Sequence, residues 1–286
     1  MLMEFEQVEY TYPCCHKPAL NSLTLQIGEF QRYGIIGRNG CGKTTLFRLA
    51  NGLYRPQRGI IRWQGMPLSY HNRALNQLRQ QVGLVFQDPE QQLVGATVEE
   101  DLSYGLCNLG LPKGEIAHRV QQALLDFDLT DLGDTPVNYL SLGQKKRLSL
   151  ADVMILQPKL LLLDEPTAYL DPYQTRHLVV TLEQIRAKGT TILIATHDLD
   201  FVYAWADWLF VLEGGQLRLE GSPESVFSQR KLMEALGLGI PLSLDLLTAF
   251  SEESFFSQSR QVNSEEKITL TGEEFRQWIL RRWQKN

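Results

Sequence analysis

A short stretch near the N-terminus restricts what this chain can fold into more than any other part of its sequence. Its residues are Gly37, Arg38, Asn39, Gly40, Cys41, Gly42, Lys43, Thr44 and Thr45. Residues 37–44 fit the pattern G-x-x-x-x-G-K-T, in which glycines let backbone N–H groups approach a chain of phosphates closely. An apolar run at 33–36 precedes the stretch and a helical pattern at 44–50 follows it, so a helix N-terminus lies behind the loop. The sequence therefore predicts a phosphate-binding loop.

Two side chains of this loop have roles that follow from their positions in the pattern. Lys43 is expected to reach the β- and γ-phosphates, and the hydroxyl of Thr44 is expected to bind Mg²⁺. The alternative is a chance glycine-rich turn. That alternative leaves the lysine, the threonine and the flanking strand and helix patterns without an explanation.

Composition and charge exclude several other classes of protein. The chain has 286 residues, of which 43% are hydrophobic, enough for one large or two small domains with a proper core. Its formal net charge of -5 argues against nucleic acid as a partner, because dedicated nucleic-acid-binding proteins usually carry a basic excess. No apolar run approaches the roughly 18 residues that a membrane-crossing helix needs. The first residues show no basic, apolar leader, so we expect a cytosolic chain.

The order of strand and helix patterns predicts an α/β fold. Two β-like runs, at 3–12 and 20–27, come before the loop and predict a small antiparallel layer, with one break in the alternation at Gln7. Apolar runs that end near 86, 164 and 195 predict buried parallel strands. Between about 90 and 157 the patterns are helical, and Thr97 to Glu100 form a capping sequence. We expect a helical subdomain inserted into the sheet.

Polar residues follow the predicted parallel strands, where ligand sites collect in such sheets. Asp164 ends an apolar strand and can hold Mg²⁺, while Glu165 can polarise a water molecule for in-line attack on the γ-phosphate. Gln87 could bind Mg²⁺ or orient that water molecule. His197 could hydrogen-bond the γ-phosphate. The alternatives are a helix cap for a lone acid and a structural role for a lone histidine.

Two further features suggest contacts with a nucleotide. Tyr12 could stack on adenine, with Tyr10 as the competing residue. Ser141, Gly143 and Gln144 open a second helix, where a hydroxyl, a glycine N–H and a helix N-terminus form a second phosphate-binding group. Because this group lies in the predicted helical subdomain, away from the first loop, we expect it to bind the nucleotide of another copy of the protein. The alternative is an ordinary serine cap in front of the solvated basic face at 145–147.

In their order, these motifs resemble the ATP-binding cassette (ABC) ATPases of ABC transporters over residues 1–225. The matching motifs are Walker A at 37–44, the Q-loop at Gln87, the signature at 141–144, Walker B at 160–164, the catalytic glutamate at Glu165, the D-loop at 170–171 with Asp171, and the switch histidine at His197. The resemblance implies a P-loop NTPase (RecA-like) core sheet that binds ATP and Mg²⁺. Leu142 stands where the common signature has glycine, which predicts an active site with an altered closing geometry.

A finer resemblance is to the ATPases of energy-coupling-factor (ECF) transporters. The segments that carry it are 85–93, 97–110, 221–227 and 237–241, and the signature with its Lys-Lys-Arg extension is similar to that of cobalt and nickel importers. This resemblance implies a head-to-tail dimer with a second ATPase copy or a paralogue. It also implies a peripheral position on the cytoplasmic face of the cell membrane, a transmembrane coupling protein docked around 88–108, and a substrate-binding membrane component.

Other functions remain as alternatives. Vitamin importers for biotin, riboflavin, folate or cobalamin share most of the ECF pattern. A soluble, non-transport ABC ATPase would carry a long coiled-coil insertion or two cassettes, whereas this chain has one phosphate loop and no heptad run before Asp164. A P-loop kinase would leave the signature and His197 without a role. A regulatory cassette would bind ATP without turnover.

The segment 226–286 is predicted to be a C-terminal extension. A capping pattern at 271–274 precedes Phe275, Trp278, Ile279 and Trp283, which follow at helical spacing. This helix either packs on its own core or extends a dimer interface, as the ECF resemblance implies.

Overall fold

The structure, a computed structural model, describes residues 1–13, 15–245 and 277. The strands are β1 (Met3–Tyr10), β2 (Leu20–Ile27), β3 (Arg32–Ile36), β4 (Arg58–Trp63), β5 (Met66–Pro67), β6 (Val82–Val85), β7 (Leu160–Asp164), β8 (Thr191–Ala195), β9 (Trp208–Glu213) and β10 (Gln216–Gly221). The α-helices are α1 (Lys43–Ala50), α2 (Asn72–Gln81), α3 (Val98–Asn108), α4 (Lys113–Asp126), α5 (Leu142–Met154), α6 (Pro172–Ala187), α7 (Leu199–Trp205), α8 (Pro223–Phe227) and α9 (Arg230–Ala235). The helix predicted after 271–274 lies outside the described residues.

The predicted antiparallel layer is a four-stranded sheet with the order β2-β1-β4-β5. In β1, Met3, Phe5 and Val8 are buried. Gln7 has a φ of +48°, and the register with β2 shifts between Phe5 and Val8. This irregularity explains the break in alternation at Gln7, because the extra residue returns Val8 to the buried side.

The larger sheet has the order β10-β9-β3-β8-β7-β6. Its strands are parallel except for β10, which pairs antiparallel with β9 at one edge. Strands β3, β6, β7 and β8 are buried at every residue, which is why their sequences are apolar without alternation. Parallel strands end at the same edge. The phosphate-binding loop, Gln87, Asp164 and His197 all follow such strand ends.

Both faces of this sheet are covered by apolar side chains. Leu160 and Leu162 of β7 pack in one cluster with α1 and the antiparallel layer. Leu161 and Leu163, their neighbours in sequence, pack in a second cluster with helices on the opposite face. Each of these leucines is at most 1% exposed, and burying such a side chain contributes about 1.5–3 kcal/mol. The strand that delivers Asp164 and Glu165 is therefore held firmly from both sides.

Helices α3, α4 and α5 lie within the part of the chain for which helices are predicted. The Thr97 hydroxyl accepts a hydrogen bond from the Glu100 N–H at 3.3 Å, as its capping pattern predicts. The apolar face of α4 is buried at Val120, Ala123 and Leu124. No helix among the described residues combines the length and apolar character that crossing a bilayer requires. The domain boundaries near 90, 157 and 225 stay predictions.

Two carboxyl groups lie near each other in this helical region. Asp101 on α3 is 1% exposed, and its Oδ1 atom accepts hydrogen bonds from the N–H groups of Val94, at 2.7 Å, and Gly95, at 2.6 Å. Its Oδ2 atom has no hydrogen-bond partner among the described residues. Burial raises the pKa of Asp152 on α5 to about 7, and the charge of Asp101 contributes to this rise. A hydrogen bond with Gln92 acts in the opposite direction and lowers the pKa. Ionising Asp152 therefore costs stability.

We expect the stability of this region to fall as the pH rises. The pKa of Asp152 in the folded protein lies above its ordinary value of 3.8. The neutral carboxyl group therefore makes its full contribution to stability below pH 3.8, and this contribution is lost as the pH rises through about 7. At pH 8, Asp152→Asn should raise the free energy of unfolding by up to about 4 kcal/mol. Chemical denaturation at pH 5 and pH 8 measures this change. The exposed Asp131→Asn is the matched control, and an unaltered pH dependence in Asp152→Asn would contradict the assignment.

Candidate nucleotide-binding site

The phosphate-binding loop connects β3 to α1, as predicted. Gly42, which precedes α1, has a φ of +112°, and a Cβ atom there would lie 2.6 Å from the carbonyl oxygen of Ala19. A Cβ atom on Gly37 would collide with the carbonyl oxygen of Leu212. Only glycine fits these close approaches. Helix α1 also begins without a side-chain cap, so its first N–H groups are not covered by a capping oxygen and suit a phosphate.

Lys43 lies across this loop. Its Nζ atom donates a hydrogen bond to the carbonyl oxygen of Gly37 at 2.7 Å and lies 4.0 Å from the Sγ atom of Cys41. Lys43 is only 7% exposed. Burial raises the pKa of the Cys41 thiol, although the charge of Lys43 acts in the opposite direction. Cys41 therefore adds no negative charge beside the ammonium group of Lys43.

Thr44 and Asp164 meet at the C-terminal end of β7. The Thr44 hydroxyl donates a hydrogen bond to Asp164 Oδ2 at 2.6 Å. Burial raises the pKa of Asp164, whereas the hydrogen bond from Thr44 lowers it. Two oxygen ligands beside a phosphate loop fit Mg²⁺, which prefers oxygen and takes few protein ligands when it is bound to phosphates. Among the described residues, no cluster of three or more His, Cys, Asp or Glu side chains could hold a metal ion.

Gln87 follows β6 and is exposed. Sequence reasoning did not single out Gln92, whose side chain bridges two parts of the chain. Its Oε1 atom accepts a hydrogen bond from the N–H of Phe86 at 3.3 Å, and its Nε2 atom donates to the carbonyl oxygen of Ser149 at 2.7 Å. Gln92 thus connects the end of β6 to α5. The sequence does not indicate this role, because Gln92 is one of several polar residues in the loop after β6.

Glu165 and His197 are brought together by neighbouring strands. Glu165 Oε2 lies 2.8 Å from His197 Nδ1 and also accepts a hydrogen bond from the His197 N–H at 3.3 Å. The Glu165 side chain is 8% exposed, and that of His197 is 70% exposed. Glu165 has a φ of +48°, a conformation that is uncommon for residues other than glycine. A buried carboxylate thus contacts an exposed imidazole beside the Thr44–Asp164 pair.

Tyr12 belongs to an aromatic cluster beside α1. Its hydroxyl lies 3.0 Å from the hydroxyl of Thr45, and its ring meets Tyr10 and Tyr54 edge to face. Tyr10 stacks on Tyr54 with their ring centroids 5.1 Å apart. One face of Tyr10 is therefore occupied, which favours Tyr12 as the residue that could stack on a base.

Ser141 caps α5, as the alternative interpretation of its motif predicts. Its hydroxyl accepts a hydrogen bond from the Gln144 N–H at 3.3 Å, and Gln144 Oε1 accepts from the Ser141 N–H at 2.7 Å. Asp171 caps α6 in the same way, accepting from the N–H of Gln174 at 2.7 Å. A Cβ atom on Gly143 would lie 2.5 Å from Gln174 Nε2. The signature and the D-loop therefore begin two helices that touch at Gly143.

Sequence reasoning also missed Lys146, which was considered only as part of a solvated basic face. Its Nζ atom donates hydrogen bonds to the carbonyl oxygens of Ala168, at 2.5 Å, and Pro166, at 3.1 Å. Burial lowers the pKa of Lys146 to about 8, and the charge of Glu165 opposes this shift. Lys146 thus connects α5 to the turn that follows Glu165.

The model of the ABC transporter family matches residues 20–168, slightly more than half of the chain. The chain belongs to this family. The match spans the Walker A, Q-loop, signature and Walker B motifs together with Glu165, whereas Tyr12, Asp171 and His197 lie outside it.

Three relatives cover most of the chain. A putative ABC transporter ATP-binding protein of Nostoc sp. (strain PCC 7120) is 62% identical over 240 residues, which are 84% of this chain and 88% of the relative. The cobalt import ATP-binding protein CbiO of Salmonella typhimurium is 42% identical over 82% of this chain and 86% of its own length. The energy-coupling factor transporter ATP-binding protein EcfA of Carboxydothermus hydrogenoformans is 40% identical over 87% and 91%.

A solved structure agrees with these relatives. The structure of cbiO1 from Clostridium perfringens, described as part of the ABC transporter complex cbiONQ, superposes with a TM-score of 0.74. It is 37% identical, and the match covers 88% of this chain and 99% of that one. The predicted α/β P-loop NTPase fold, the resemblance to ECF-type ABC ATPases of the cobalt type, and the assignment as an ATPase are confirmed.

Proposed function

We propose that this ABC ATPase is the nucleotide-binding subunit of an ECF-type importer, peripheral to the cytoplasmic face of the cell membrane. It forms a head-to-tail dimer with a second copy or a paralogue. The observation that carries the catalytic part of this proposal is the contact between Glu165 and His197 beside the Thr44–Asp164 pair. The phosphate-binding loop thus lies next to a base (Glu165), a histidine that orients it (His197) and two oxygen ligands (Thr44 and Asp164).

Different residues of one copy bind the phosphates, the Mg²⁺ ion and the adenine base of ATP. The N–H groups of the loop and the ammonium group of Lys43 bind the β- and γ-phosphates. Thr44, Asp164 and Gln87 would hold Mg²⁺, which supplies neutralisation of the charge on the phosphate oxygens. Tyr12 stacks on adenine. The loop residues that complete this binding site are Gly37, Arg38, Asn39, Gly40, Cys41, Gly42 and Thr45.

Hydrolysis requires a water molecule in line with the γ-phosphate. Glu165 accepts a proton from that water molecule as the water oxygen bonds to the γ-phosphorus and the bond to the β–γ bridging oxygen breaks, which releases ADP and phosphate. His197 holds the Glu165 carboxylate through its Nδ1 atom, and its exposed imidazole would hydrogen-bond the γ-phosphate.

Ser141, Gly143 and Gln144 of the partner copy close on the same nucleotide, together with Asp171. The Ser141 hydroxyl accepts a hydrogen bond from the N–H of Gln144, so the phosphate would bind the N–H groups of Leu142 and Gly143 at the N-terminus of α5.

We infer that the cargo is a transition-metal ion, with cobalt favoured over nickel. The support is the CbiO relative, named for cobalt import, and the likeness to a chain of a cbiONQ complex. A transmembrane coupling protein docks around 88–108, and a substrate-binding membrane component recognises the cargo. Vitamin uptake through the same ATPase is the alternative, and the EcfA relative is compatible with it.

The test is to isolate the protein from its native membranes in mild detergent and to identify what accompanies it. We expect a small transmembrane coupling protein and a substrate-binding membrane protein. After reconstitution into vesicles, ATP should drive uptake of Co²⁺, and the complex with Glu165→Gln is the control for dependence on hydrolysis. Uptake of a vitamin instead of Co²⁺ or Ni²⁺ would support the alternative cargo. Recovery in the soluble fraction alone would contradict the transporter and support a soluble ABC ATPase.

A further inference from the structure

Lys146 connects two parts of the ATPase that are distant in sequence. It lies in α5, the helix that Ser141 caps, and its ammonium group donates to the carbonyl oxygens of Pro166 and Ala168. Those carbonyl groups belong to the turn between Glu165 and Asp171. A cavity of about 300 Å³ between α5 and α6 is lined by Lys146, Pro166 and Gln174. The lysine thus crosses a gap that the packing of the two helices leaves open.

We propose that Lys146 is a positioning residue for hydrolysis, which holds the turn after Glu165 in place and links it to the helix that begins at the signature. The inference rests on the proposed role of Glu165 as the base. Lys146 itself contacts neither the nucleotide nor the reacting water molecule.

The conformation of the turn explains why it needs such support. Glu165 and Tyr169 have φ angles of +48° and +64°, and each non-glycine residue in this region costs of the order of 1 kcal/mol. Within the turn, the N–H of Ala168 donates to the carbonyl oxygen of Glu165 at 3.2 Å. The carbonyl oxygens of Pro166 and Ala168 converge on the single ammonium group. Removing this group would leave both oxygens without their common donor and would release a strained turn.

The contact that Lys146 makes can transmit a movement from the N-terminus of α5 to the turn after Glu165. Helix α5 runs continuously from Leu142 to Met154, so a movement of its N-terminus displaces Lys146 as well. In the proposed dimer, Ser141 binds the nucleotide of the partner copy, whereas Lys146 acts on Glu165 of its own copy. Occupancy of one site can thereby influence the geometry of the base at the other site.

Several charged groups surround this link. Glu165 is the carboxylate whose charge favours the ammonium form of Lys146. Across the cavity, Asp128 Oδ2 lies 2.8 Å from His177 Nε2 and 3.9 Å from Arg147 Nη1. Asp171 lines the same cavity. Because burial lowers the pKa of Lys146 to about 8, the charge-assisted hydrogen bonds to the turn should weaken above that pH.

The experiment measures ATP hydrolysis by the full-length protein between pH 6.5 and 10 for wild type, Lys146→Met, Lys146→Arg and Lys145→Met. Lys146→Met should lower kcat roughly 10- to 100-fold and change KM for ATP less than about threefold, since the phosphate loop is intact. Lys146→Arg should keep most of kcat and should lose the fall in kcat above pH 8, because arginine stays protonated. Lys145→Met, which removes the ion pair of this neighbouring lysine with the exposed Glu90, is the matched control and should leave kcat unchanged.

Two results would overturn the inference. One is a normal kcat in Lys146→Met; the other is an alkaline fall in Lys146→Arg at the same pH as in wild type. Should Lys146→Met fail to fold, the pH profile of Lys146→Arg alone decides. Glu165→Gln is assayed in parallel to separate the two claims. If that variant is inactive while Lys146→Met is normal, only the positioning role fails, whereas an active Glu165→Gln would remove the proposed base and the positioning role together.

Discussion

Replacing Glu165 by glutamine is expected to lower kcat for ATP hydrolysis by roughly 10²- to 10⁴-fold, which is the usual contribution of a general base. The amide has nearly the same shape as the carboxylate and can still accept a hydrogen bond from His197. It cannot accept a proton from the attacking water molecule. Binding of ATP should therefore persist, with a Kd within about threefold of that of the wild type. Phosphate release and the binding of a fluorescent ATP analogue measure the two quantities.

The control for this variant is Glu115→Gln, which alters an exposed glutamate paired with Arg119 on α4. It makes the same chemical change on a helix outside the sheet that carries the site, and its kcat should equal that of the wild type. Normal hydrolysis by Glu165→Gln would show that another group accepts the proton. Absence of hydrolysis in the wild-type protein, with ATP bound, would instead indicate a regulatory cassette.

Replacing Lys43 by alanine should weaken the binding of ATP itself. A hydrogen bond from a charged group contributes about 1.5–3 kcal/mol, which corresponds to a rise in Kd of roughly 10- to 100-fold. The loss should be larger for ATP than for AMP, because Lys43 is assigned to the β- and γ-phosphates. Calorimetric titration with ATP, ADP and AMP measures this difference.

Lys17→Ala is the matched control, since Lys17 is an exposed lysine outside the phosphate-binding loop, and it should leave all three Kd values unchanged. The two principal variants also separate binding from chemistry. Glu165→Gln should lose turnover and keep affinity, whereas Lys43→Ala should lose affinity. An equal loss of affinity for ATP and AMP in Lys43→Ala would contradict the assignment of Lys43 to the terminal phosphates.

Most of the fold could be predicted from patterns that burial imposes on the sequence. The predicted run at 20–27 agrees with β2, Leu20–Ile27, because the buried Leu23, Leu25 and Ile27 alternate with exposed residues. Helix α2, Asn72–Gln81, was not predicted. Leu78 is its only buried residue, and Ala74, Leu75 and Leu78 are its only apolar residues, so its apolar face is too narrow to indicate a helix from the sequence.

The candidate site could be predicted residue by residue, but its contacts could not. The loop at 37–44 and the acids after β7 carry patterns that are local in sequence. The contact between Glu165 and His197 depends on how β7 pairs with β8, which no local pattern specifies. Lys146 was missed for a similar reason. Its partners are two backbone carbonyl groups. Every residue has such a group, so the sequence does not indicate which of them a lysine contacts.

The pairing of β7 with β8 sets a limit on how this ATPase can change. Asp164 lies opposite Ala195, the N–H of Glu165 donates to the carbonyl oxygen of Ala195 at 2.8 Å, and His197 follows two residues later. Inserting one residue into either strand would move the two side chains apart by about 3.3 Å and turn one of them to the opposite face of the sheet. Insertions should therefore be tolerated in the loops after these strands and excluded from the strands themselves.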